Sequence, residues 1–241
     1  MKRFLLLIAL CLSSQLALSQ RHITGDQLLD KAIAYHDPNG NWSQFSGNLN
    51  VTMQTPDGPE RDSKITINLP AEYFQVTAKR DTIITTYTLD KDACHIKLNG
   101  NDALSEATLT EHNLSCERAS LYKNYYTYLY GLPMKLKDPG THISETVAIK
   151  SFKGKEYLVL KATYDEAVGS DVWYFYFNPK TYAMEIYQFF KGDPKGKGKD
   201  TGEYILLSEE AQVNGIKIPK IRAWYYNKDD KYLGTDLLKT E

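Results

Sequence analysis

The sequence predicts a mainly β, α+β protein. Its expected core is a strongly curved antiparallel sheet of about eleven strands forming an incomplete barrel, covered by two or three helices. Three observations lead there. Residues 157–191 read as three strands dense in aromatic and β-branched residues, including V-W-Y-F-Y-F, with Asn178-Pro179-Lys180-Thr181 as the turn between the last two. Hairpin-tip residues recur through the second half at Pro179, Asn214 and Asp229, so sequential strands pair, and one sheet of that length has to curl or close. Clear helical spacing is confined to two stretches, which therefore cover the sheet rather than build a layer of their own.

The elements follow in order. Lys2 and Arg3, an apolar run over 4–12 and the small-x-small stretch Ala17-Leu18-Ser19 read as a secretory signal over residues 1–19, cut before Gln20. Leu10 is too large for a lipobox ending at Cys11, so the processed chain is expected to be a soluble exported protein of the periplasm, with residues 20–241 as one domain and no transmembrane segment. Thr24 caps a helix and Gln27 completes a capping box. Leu28, Leu29, Ala32, Ile33 and His36 fall on its inward face, and Asp37-Pro38-Asn39-Gly40 ends it. Trp42 is expected to open the sheet, with Phe45, Leu49, Val51 and Met53 alternating, followed by strands over 64–69, 73–79, 82–89 and 93–98. Residues 102–114 fit a loop or a short helix.

Residues 117–130 form the second clear helix. Leu121, Tyr122, Tyr125, Tyr126 and Leu129 make its face, Gly131 is a natural C′ residue, and Pro133 lies beyond. A tyrosine buries a ring yet keeps a polar tip, so this face suits either the wall of a cleft or plain packing on the sheet. One strand is expected over 141–152, then the turn Lys153-Gly154 and strands over 157–164, 172–177 and 182–191. A polar glycine-rich surface loop occupies 192–200, and strands follow over 202–209, 221–226 and 232–239. Asn214-Gly215 is a hairpin signal, and Pro219 marks an edge or bulge because it cannot donate to a ladder.

Chemistry is sparse. The formal charge is −1, so there is no basic excess to hold a nucleic acid, and Lys195-Gly-Lys-Gly-Lys199 reads as a solvated loop. Hydrolase, zincin, P-loop and Cys-x-x-Cys motifs are missing from the sequence. The five histidines lack ligand spacing and the acidic residues cluster in turns, so no enzyme activity, metal or cofactor is expected. Cys94 and Cys116 remain after processing, either as two buried thiols or as one disulfide closing a loop worth on the order of 3 kcal/mol. The positive signal is aromatic. Trp173, Phe175 and Phe177 share one strand face, and Tyr187 and Phe189 share one face of the next. Together with Leu49 and Val51 from the early strands and Tyr122 and Tyr126 from the helix, the residues Trp173, Phe175, Tyr187 and Phe189 are the expected lining of a ligand cavity.

The signal, the helix running into Trp42, the stretch V-W-Y-F-Y-F-N-P-K-T-Y over 172–182 and V-N-G-I-K-I-P over 213–219 resemble the DUF6503 family of exported proteins from Bacteroidota-type bacteria. The layout also resembles the LolA/LolB lipoprotein carriers. That resemblance implies an unclosed barrel under a helical lid and a carrier of a lipid, lipoprotein acyl chain or other apolar ligand. The expected partners are then an apolar small molecule or acyl chain and other envelope proteins, with the chain itself a monomer. The alternative is a non-catalytic structural or interaction module of the envelope with a packed core. An envelope enzyme fits less well.

Overall fold

Local signals set both ends of the first helix. In the computed structural model, which describes residues 23–239, helix α1 spans Gly25–His36, and the expected signal over 1–19 lies outside the described residues. The Thr24 hydroxyl accepts from the Gln27 N–H at 3.3 Å and the Gln27 side chain accepts from the Thr24 N–H at 3.2 Å, so the capping box forms. Leu28, Leu29, Ala32 and His36 are buried. At the exit, the Asp37 carboxylate accepts from the N–H groups of Asn41 and Trp42, both at 2.8 Å. That clamp winds Asn41–Gln44 into one 3₁₀ turn, so Trp42 does not open the sheet as expected. The first strand begins four residues later.

Among the described residues thirteen strands follow: β1 (Ser46–Thr55), β2 (Gly58–Asn68), β3 (Tyr73–Arg80), β4 (Ile83–Asp90), β5 (Ala93–Leu98), β6 (Thr141–Ile143), β7 (Ala148–Phe152), β8 (Lys155–Tyr164), β9 (Val172–Phe177), β10 (Met184–Phe190), β11 (Glu203–Val213), β12 (Ile216–Tyr226) and β13 (Tyr232–Lys239). Between β5 and β6 lie α2 (Glu106–Glu111) and α3 (Cys116–Gly131). All pairs are antiparallel, in the order β5-β4-β3-β2-β1-β13-β12-β11-β10-β9-β8-β6, with β7 also on β8. The one non-local pairing among long strands, β1 with β13, joins two meanders at their middle.

The strongly curved, incomplete barrel of about eleven strands is not what forms. The sheet is open and not strongly curled, because its ends, β5 on one side and β6 and β7 on the other, do not pair with each other. Both ends are stopped locally. The strand expected over 141–152 is interrupted after Ile143, where α1 docks: Thr24 bridges Thr146, and the Gly25 N–H donates to the Glu145 carbonyl at 2.8 Å. Two short pieces then share the outer edge of β8. Short edge strands are poor templates for further pairing. At the other end, a disulfide between Cys94 on β5 and Cys116 at the start of α3 fastens the helix to the edge strand.

One face of the sheet carries the core. Leu28, Leu29 and Ala32 of α1 and Ala119, Tyr126, Leu129 and Tyr130 of α3 pack against inward residues from nearly every long strand. A smaller cluster of Tyr157, Val159, Tyr176 and Ile186 lies on the opposite face, with Phe152 of β7 against it. The face of α3 is rotated from the expected one: Leu121 is exposed and Tyr130 is buried. Gly131 is the last helical residue rather than a left-handed C′ residue. It is buried, and a Cβ there would stand 2.3 Å from Trp42 Cζ2 and 2.5 Å from Cε2. Gly131→Ala should therefore lower stability by about 1–3 kcal/mol through overpacking, and an unchanged melting temperature would show that Trp42 yields freely.

Candidate functional site

Strand alternation puts an unusual set of polar side chains on the core face, directly across from one another. Asp236 on β13 pairs in register with Arg222 on β12 and with Met53 on β1, and Met53 pairs with Arg61 on β2. Ser63 and Trp224 sit two residues along on the same face. Above this row runs α3, whose i, i+1, i+4 and i+5 spacing brings Tyr125, Tyr126, Leu129 and Tyr130 down onto it.

Asp236 accepts from the Tyr125 hydroxyl at 2.8 Å and from the Trp224 indole N–H at 3.2 Å, both on Oδ2. Burial pushes its carboxyl above the usual range, against the pull of the Tyr125 bond and of Arg222 and Arg61. Arg222 is 0 % exposed. Its Nη1 donates to the Pro219 carbonyl at 2.8 Å and its Cζ stands 3.8 Å from the centre of the Tyr130 ring. Burial also drives the Tyr130 and Tyr187 phenols up, with Arg222 opposing in each case. Tyr187 faces Arg222 and Tyr126 faces Ser63, yet neither pair reaches normal hydrogen-bond geometry. The buried polar atoms left without a partner include Arg61 Nε, Ser63 Oγ, the hydroxyls of Tyr126, Tyr130 and Tyr187, Arg222 Nε and Nη2, and Asp236 Oδ1. Buried polar groups are ordinarily satisfied, so a concentration of open ones in one place marks a site.

Beside this row opens a cleft of about 220 Å³, lined by Met53, Thr55, Tyr125, Glu203, Trp224, Leu233, Gly234 and Asp236. Gly234 sits at φ 158° with its Cα against the Gln54 carbonyl, where a Cβ would come within 2.5 Å. Two larger depressions lie elsewhere: one of about 370 Å³ bordered by Asp62, Lys79 and Lys239, and one of about 510 Å³ beside the disulfide. Neither is lined by the aromatic face.

The eight residues expected to line a cavity all lie on the core face, in two groups. Tyr122 and Tyr126 stack at 6.3 Å over Tyr87 and Phe74, with Leu49 and Val51 buried in the same core. Trp173 stacks on Phe175 at 5.9 Å and on Phe189 at 4.9 Å, and meets Tyr187 at 6.1 Å. Trp224 links the groups, 6.1 Å from Tyr125 and 6.2 Å from Tyr187. Leu49, Val51, Tyr126, Phe175 and Tyr187 are packed, whereas Tyr122, Trp173 and Phe189 are half-buried. Arg61, Arg222, Trp224 and Asp236 were not among the expected site residues. Their signal is inward parity: Arg61-x-Ser63-x-Ile65-x-Ile67, Arg222-x-Trp224 and Asp236-x-Leu238 each place a charge in line with core residues.

Among the described residues, no group of three or more His, Cys, Asp or Glu could hold a metal ion, and no helix is long and apolar enough to cross a membrane. In structure the chain is similar to a LolA superfamily protein from Nitrosomonas europaea, at 12% identity over 90% of this chain and 92% of that one, with a TM-score of 0.48. It is also similar to a DUF1329 family protein from Desulfovibrio piger, at 10% identity over 89% and 91%, with a TM-score of 0.49. No curated protein sequence matches it. A family of unknown function, DUF6503, matches residues 1–240, and the chain belongs to that family.

Proposed function

We propose that the protein is a non-catalytic binding protein of the cell envelope that seats an apolar ligand, such as an acyl chain, on the aromatic core face of its sheet. The observation that carries this reading is the partly open strip of Met53, Tyr125 and Trp224 that lines the 220 Å³ cleft on the core face, continued through Tyr187 to the half-buried Trp173 and Phe189. Apolar rings left partly open under helices gain by covering, and each methylene laid against them contributes about 0.8 kcal/mol. In this reading the half-buried Tyr122, Trp173 and Phe189 form the rim. Leu49, Val51, Tyr126, Phe175 and Tyr187 form the floor. The leader-like first 19 residues support an exported location.

Native mass spectrometry of the mature protein purified from a periplasm, followed by organic extraction, tests this. A discrete added mass released as a lipid or other apolar compound is the expected result. Trp224→Ala should then lower occupancy by about tenfold, as loss of a central aromatic anchor does. A bare mass with no uptake of offered lipids overturns the reading. The packed floor, with Phe175 and Tyr187 both 0 % exposed, would then favour an interaction module with a closed core.

A further inference from the structure

The open edge of Arg222 is unusually specific. Its Nη1 is tied to the Pro219 carbonyl, and the guanidinium lies on the Tyr130 ring. Nε and Nη2 are unpartnered, although the side chain is completely buried. Those two nitrogens carry the parallel N–H pair of the guanidinium, the edge that meets two oxygens of a carboxylate or phosphate at once. The register partner, Asp236, does not fill it: Oδ2 is taken by Tyr125 and Trp224, and Oδ1 has no partner of its own. A buried guanidinium with an empty fork is costly, and the hydroxyls of Tyr130 and Tyr187 beside it are also unpartnered donors.

We propose that this edge is an anion site in which Arg222 grips a two-oxygen anionic group, carboxylate or phosphate, with Tyr130 and Tyr187 as further donors. The cleft ends on Tyr125, Trp224 and Asp236, and Asp236 is one strand from Arg222. Trp224, two residues from Arg222 on the same face of β12, lines the cleft, so the head group of a ligand whose tail lies there would meet the strand that carries the fork. For the tail alone, the proposal rests on the apolar-ligand reading. Burial raises the Asp236 carboxyl toward its neutral form, which weakens its repulsion of an incoming anion, and Arg61 adds a second positive charge to the row.

Calorimetric titration of the mature chain with decanoate, decanol and inorganic phosphate separates the possibilities. Decanoate should bind about tenfold or more tightly than decanol, the worth of a bidentate charged pair. Arg222→Met should abolish that preference and leave decanol binding in place. Arg222→Lys, which keeps the charge but not the fork, and Tyr187→Phe should each weaken decanoate several-fold; these two carry the test if Arg222→Met does not fold by circular dichroism. Equal binding of decanoate and decanol overturns the anion site and leaves the apolar reading standing. Phosphate binding lost in the Arg222 variants, without decanol binding, supports the anion site and sinks the apolar reading. No binding of any of the three overturns both and leaves the fork to water.

Discussion

Replacing His36 by leucine is expected to remove about 2–6 kcal/mol of folding stability, because two buried backbone groups lose their partner at about 1–3 kcal/mol each. His36 is the last residue of α1 and 1 % exposed. Its Nδ1 lies 2.8 Å from the Lys217 carbonyl, and its Nε2 accepts from the Met184 N–H at 3.0 Å. The second bond requires a lone pair on Nε2, so the proton sits on Nδ1 and the ring is neutral. One imidazole thereby ties α1 to the start of β10 and to β12. Burial lowers its pKa, with the Lys217 carbonyl and Glu210 opposing. The unfolded chain then binds more protons than the folded one below the ordinary histidine value of about 6.5. The stability that His36 contributes is complete above that value and is lost as the pH falls through it toward the lower folded pKa. Denaturant titrations from pH 7.5 to 5 should show wild-type stability declining and the leucine variant declining less. His36→Asn, which can still donate to Lys217 but leaves the Met184 N–H open, should fall between. Parallel pH curves for wild type and the leucine variant would refute the assignment of His36 as a neutral buried link.

The second large effect is expected at the disulfide. Cys94→Ser with Cys116→Ser opens a link of sequence separation 22, which the chain-entropy estimate puts at about 3 kcal/mol. For a domain of this size that is a drop in melting temperature of about 6–12 °C. The loss should have a local component as well. Cys116 begins the helix that carries Tyr125, Tyr126 and Tyr130 over the Arg222–Asp236 row, and Cys94 lies on the edge strand β5. Hydrogen exchange in the first turns of α3 should rise in the double serine variant while β11 and β12 stay protected. An identical melting temperature with and without reductant would show that the link adds nothing to stability.

Much of the fold was legible because its signals are local. The Thr24–Gln27 capping box acts within one turn of chain. Lys153-Gly154 and Asn214-Gly215 have positive φ at both residues, as the hairpins expected there require. The alternation of Trp173, Phe175 and Phe177 against Tyr174 and Tyr176 follows from the two-residue period of a strand, and the two sets do enter different clusters. Misreadings arose where a distant residue overrode a local preference. Gly131 looks like a C′ glycine, but the ring of Trp42, nearly ninety positions away, is what excludes a side chain there. The strand over 141–152 looks continuous, but the N-terminus of α1 docks in its middle. Pro219 was expected at an edge or bulge, and it lies within β12, paired with Glu210 of β11 in the part of the strand that extends beyond its pairing with β13.

The sequence by itself determined the two main helices, most of the strands, the hairpin turns, and which aromatic side chains share a face, because each depends on neighbours within a few residues. Only the tertiary structure decided that the sheet stays open, since closure depends on whether β5 can reach β6 and β7, a pairing no local pattern encodes. It also decided that Arg61, Arg222 and Asp236 meet under the tyrosines of α3. Those residues come from β2, β12 and β13, and they become neighbours only because β13 pairs with β1. In the chain each is one charge in an alternating strand. In the fold they form a buried polar row, where low dielectric and unpaired donors make their chemistry matter.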